Sequence, residues 1–136
     1  MKPLAIWIVV VAVVFGGYAI VASLLRDTEQ VFVVVDTSFF MEANDAQVRR
    51  ELDRIDGRDR SEFSLATVRD RGGSVLVHSW QDQLTLGGFQ AFGPCSLDGI
   101  DRFTEASDAD ERILITTSTS CDTSALTDWT IVTLDR

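Results

Sequence analysis

Val31-Phe32-Val33-Val34-Val35-Asp36-Thr37-Ser38-Phe39-Phe40-Met41 sets five consecutive apolar residues, four of them valines, ahead of an aspartate and two hydroxyls. A run that short and apolar on both faces predicts a fully buried central strand of a parallel sheet. A carboxylate at the carboxyl end of such a strand lies where open α/β sheets gather their ligand sites. The stretch therefore predicts both an architecture and the place where a site would form.

Downstream, Asn44 and Gln47 have capping-box spacing. Val48, Leu52 and Ile55 then fall on one face of a helix, with Arg49, Arg50, Asp53 and Arg54 on the others. Asp56-Gly57 is the stop signal, and the mixed-sign run 49–60 reads as a solvated face. Phe63–Arg69 and Ser74–Trp80 are strand-like runs on either side of Asp70-Arg71-Gly72-Gly73, a hairpin signal because primed turns need positive φ. His78, the single histidine, falls mid-strand and reads as a buried structural residue. The segment 81–95 is irregular, broken by Gly87-Gly88 and Gly93-Pro94.

Ser96 is placed to cap a short helix carrying Leu97, Ile100, Phe103 and Ala106. Arg112–Thr117 is a second buried strand, and it too runs into polar residues, Ser118 to Asp122. A turn or short helix capped by Asp122 leads to a last strand, Trp129–Leu134. The expected class is α/β, a small Rossmann-like mixed sheet of about five strands with central parallel strands, a β-hairpin and flanking helices.

Ahead of all this, Leu4 to Leu25 runs without a charge. As a helix it would be roughly 33 Å long, enough to cross a hydrocarbon core of about 30 Å. Val21-Ala22-Ser23 is a passable cleavage site, but the run is longer than the apolar region of a signal peptide. Residues 1–26 are therefore expected to be an uncleaved single-pass anchor in the lipid bilayer, contacting it through 4–25, and residues 27–136 one domain. Lys2 and the terminal amine precede the segment, while Arg26 follows it beside Asp27 and Glu29. The positive-inside rule then puts the amino terminus in the cytoplasm and the domain outside.

The chain's net charge is −9, and its 21 acids all follow the apolar segment. That balance argues against nucleic acid as a partner. In an extracytoplasmic compartment Cys95 and Cys121 are able to pair.

The order β-α-β-β-loop-α-β-turn-β, opening on an apolar strand that ends in Asp36-Thr37-Ser38, resembles a von Willebrand factor A-type domain. The resemblance covers roughly residues 31–134, with the helices after the hairpin reduced and the C-terminal helix missing. In that family the opening Asp-x-Ser-x-Ser binds a divalent cation with help from a threonine and an aspartate of other loops. Carried over, Asp36 and Ser38 match as metal ligands. Phe40 stands in place of the second serine, and Thr116-Thr117-Ser118 replaces the usual Thr-Asp-Gly. Asp122 reaches the site only by a loop detour, and Thr85 is the candidate for the middle threonine. The resemblance thus implies a degenerate adhesion motif in which Mg2+ would be weakly held, so that no cofactor is expected.

The candidate ligand- or partner-binding residues are Asp36, Thr37, Ser38, Thr117, Ser118 and Asp122. A simpler role for Asp36 is to accept backbone N–H groups from the following turn and cap the next helix. Cys95 and Cys121 lie in loops expected at the same sheet edge, where a bridge would close a loop of about 25 residues and stabilise by roughly 3 kcal/mol; free buried thiols are the alternative.

Two functions compete. One is a membrane-anchored extracytoplasmic interaction module, not an enzyme, that meets an unknown protein partner of the membrane or cell envelope. The other is a PIN-like metal-dependent ribonuclease domain tethered at the membrane, since its opening strand and aspartate look alike. The central hairpin and the outward location count against the nuclease. A haloacid-dehalogenase phosphatase fits less well, because Ser38 occupies the place of its second aspartate.

Overall fold

The computed structural model describes residues 3–24, 28–68, 73–88 and 90–134. Helix α1 (Pro3–Leu24) opens on a proline, the residue best tolerated at a first helical position. It is long and apolar enough to cross a membrane, and its large side chains lie open all round rather than packed on the domain.

The remaining elements are β1 (Glu29–Asp36), α2 (Asp45–Asp56), β2 (Ser61–Val68), β3 (Val75–Gln81), α3 (Thr104–Asp108), β4 (Glu111–Thr116) and β5 (Thr130–Thr133). Five strands form one mixed sheet in the order β3-β2-β1-β4-β5. β1 is central and parallel to both β2 and β4, β5 is parallel to β4, and β3 closes the other side antiparallel to β2. The expected α/β mixed sheet is therefore present, with the two strands expected to be buried, β1 and β4, paired side by side. The tip of the hairpin, residues 69–72, lies outside the described residues; Gly73 just after it has φ +73°, which suits a glycine.

Alternation along β1 divides the core. Val31, Val33 and Val35 face Val48, Leu52 and Ile55 of α2, together with Phe63, Leu65, Ile113 and Ile115. Phe32 and Val34 face the other way, onto Ile100, Ala106 and Leu114 with Phe103 and Trp129 around them. That second face is covered thinly, by a 3-10 turn and the five-residue α3.

Three local expectations change. A six-residue 3-10 turn, Phe39–Asn44, precedes α2, so Asn44 has φ −111° and ψ 10° and its side chain makes no capping bond. An N-cap needs extended backbone there, and the preceding turn forbids it. The helix expected over 97–106 is split because Phe103 is extended (ψ 134°) and lays its ring on Phe32, centroids 6.1 Å apart. Ser96 caps no helix; its hydroxyl accepts the Asp98 N–H in a turn.

His78 is half-buried on an edge strand instead of buried. Its Nδ1 meets the Ser79 carbonyl, and its Nε2 accepts the Thr85 N–H at 3.3 Å. Both ring nitrogens thus engage backbone groups.

Candidate functional site

The carboxyl ends of β1 and β4 lie side by side. Val35 pairs with Ile115, which brings the next residues, Asp36 and Thr116, together. Asp36 is fully buried. Its Oδ1 accepts the Ser38 N–H at 2.8 Å, closing an Asx turn, and its Oδ2 accepts the Thr116 hydroxyl at 2.7 Å. Ser38 Oγ meets Ser120 Oγ at 2.6 Å. The Thr37 hydroxyl donates to the Val68 carbonyl at 2.6 Å.

The loop after β3 docks on the same corner through Phe92 N–H to Thr37 O and Phe39 N–H to Gly93 O. Each of these bonds satisfies a polar group that burial would otherwise penalise.

Cys95 and Cys121 form a disulfide, with Cα atoms 5.3 Å apart. Among the described residues, these two sulfurs and the Asp36 carboxylate make the one compact group of metal-type ligand atoms. The chemistry of that set does not suit a cation. Cys121 Sγ lies 3.4 Å from Asp36 Oδ2, but a sulfur bonded to Cys95 carries neither a hydrogen to donate nor thiolate charge. Magnesium takes oxygen ligands in octahedral array. Here one carboxylate and the hydroxyls of Ser38, Thr116 and Ser120 are already committed to one another or to the backbone. The residues of the expected motif do not fit the metal.

The remaining candidates separate. Asp122 turns away from Asp36: its Oδ1 accepts the Ser124 N–H at 3.1 Å, and it borders a hollow that also holds Asp98 and Asp101. Hydrogen bonds from the Ser124 side chain and backbone hold the Asp122 carboxyl below its ordinary range. Thr85 is exposed and tied to β3 at the sheet's edge. Thr117 and Ser118 instead line a groove of about 560 Å³ at the carboxyl end of the sheet. Its opposite wall is the 3-10 turn, with Phe39, Phe40, Glu42 and Asn44, and Leu134 also borders it.

Sequence reasoning missed most of this groove. Spacing makes Asn44 a cap for α2, and the motif makes Phe40 only a missing ligand. The available signal was Phe39-Phe40 itself, two large apolar residues straight after a polar turn. In the structure they are 63% and 48% exposed, with rings edge-on and 6.0 Å apart.

The fold and this corner define an α/β domain of one mixed sheet whose strand ends carry a buried hydrogen-bonded carboxylate, a disulfide and an open aromatic groove. No family model, curated protein or solved structure matches the chain.

Proposed function

We propose that the chain is a membrane-anchored recognition module of von Willebrand A-like type, amino terminus inside and domain outside, which meets a protein partner through the carboxyl end of its sheet. The observation that carries this reading is the exposure of Phe39 and Phe40 beside the groove. Aromatic side chains left open on a small domain are typical anchors of protein interfaces. The commitment of the Asp36 carboxylate to internal hydrogen bonds supports recognition over metal-dependent catalysis. A PIN-like nuclease needs several carboxylates around that aspartate, and the group found beside it supplies two disulfide sulfurs.

The test is site-specific photocrosslinking in native membranes. A benzoylphenylalanine at position 40 should give a discrete protein adduct that the same group at position 50, on the outer face of α2, does not give. Adducts from position 50 with none from position 40 would move the interface elsewhere and remove the reading.

A further inference from the structure

Two polar atoms in the walls of the groove lack partners. Asn44 and Thr117 are 3% and 8% exposed, and neither Asn44 Oδ1 nor Thr117 Oγ1 has a hydrogen bond. The Asn44 Nδ2 group donates weakly to the Phe40 carbonyl at 3.5 Å, which leaves Oδ1 as an acceptor with nothing to accept. Buried polar atoms without partners are costly, and native structures hold few of them. Asp36, Thr37 and Ser38, on the same corner, are all satisfied. Among the described residues a third such atom, Asp45 Oδ1, lies at the start of α2 and outside the groove lining.

Their surroundings select the chemistry of an occupant. Asn44 Oδ1 only accepts, Thr117 Oγ1 is able to accept, and Glu42 adds an exposed carboxylate at the rim. Among the described residues no basic side chain lines the groove. Phe39 and Phe40 offer ring faces, and the chain's net charge of −9 draws cations toward it. A volume of about 560 Å³ lies in the ordinary range for a bound group.

Resting on the recognition reading above, we propose that the groove receives an arginine side chain of the partner. A guanidinium has five N–H donors and no acceptor, stacks on aromatic faces and pairs with a carboxylate. An ammonium supplies the charge without the planar fork. Both orphan atoms are closed to solvent, so seating the donor requires the 3-10 turn to shift. Phe39, Phe40, Glu42 and Ala43 are the exposed side chains of that turn, and Met41 and Asn44 its buried ones.

The experiment uses the full chain in nanodiscs and fluorescein-labelled acetyl-Gly-Ala-Xaa-Ala-Gly amides, read by fluorescence polarisation. The arginine peptide should bind, and its neutral citrulline counterpart should bind about tenfold or more weakly, as loss of a charge-assisted pair implies. Glu42→Gln and Phe40→Ala should each weaken the arginine peptide several-fold, while Asp122→Asn, in the separate hollow, leaves it unchanged. Thr117→Val should weaken binding yet leave the melting temperature of the unliganded protein equal or higher, because it removes an unsatisfied hydroxyl.

Equal binding of the citrulline peptide, preference for a leucine peptide, an equal effect of Asp122→Asn, or no binding at millimolar peptide would each overturn the arginine assignment. If adducts from position 40 persist in those cases, the interface stands and only its ligand chemistry falls. Loss of the adducts as well would remove both.

Discussion

Asp36 has the environment of a structural carboxylate. Both oxygens accept good hydrogen bonds inside the core, one from its own turn and one from the neighbouring strand. Asparagine in its place has the same shape but turns one acceptor into a donor, facing either the Ser38 N–H or the Thr116 hydroxyl. Asp36→Asn should therefore lower unfolding stability by about 1–3 kcal/mol, measured by urea denaturation. Millimolar Mg2+ should leave the melting temperature of the native protein unchanged; a rise of many degrees that is absent in Asp36→Ala would restore the metal site.

Asp122 makes the opposite case, an exposed carboxylate tuned by a local turn. Its lowered carboxyl makes the turn's contribution present above the ordinary carboxylate range and lost as pH falls through the folded value. Ser124→Ala should move the carboxyl back up, as followed by carbon-13 NMR titration.

Among the elements, β1 and β4 hold the corner in register and the disulfide holds the loops over it. The bridge joins residues 26 apart in sequence, so the chain-entropy model gives it roughly 3 kcal/mol. It matters because the helical cover of the second face is short, a 3-10 turn at Ile100–Arg102 and α3, and the rest of that cover is loop and edge-strand residues that include Cys95 itself. The Cys95→Ser/Cys121→Ser pair should unfold at lower urea by about that amount, and the native protein should change electrophoretic mobility on reduction.

The helices show why element boundaries were the least legible part. Val48, Leu52 and Ile55 were correctly placed on the core face of α2, because that follows from spacing alone. The capping role of Asn44 was not, since a 3-10 turn upstream had already fixed its backbone. Phe103 breaks an otherwise helical spacing and packs on Phe32 on the same face of the sheet.

At the scale of the whole molecule, the chain joins a helix long and apolar enough to cross a membrane to an acidic domain. The proposed orientation predicts that Ser118→Cys, in an exposed loop with both native cysteines paired, reacts with a membrane-impermeant maleimide from outside intact cells. Labelling only after permeabilisation would put the domain in the cytoplasm and revive the nuclease.

The amino-acid order determined the apolar helix, the two buried strands, the hairpin and the inward faces of α2, because hydrophobic burial at periods of 2 and 3.6 is written in neighbouring residues. Tertiary structure alone decided that Thr116 and not Asp122 meets Asp36, and that Asn44 and Thr117 border one groove. Those contacts join positions some 70 to 80 residues apart, and strand register, not local spacing, sets which side chains meet there.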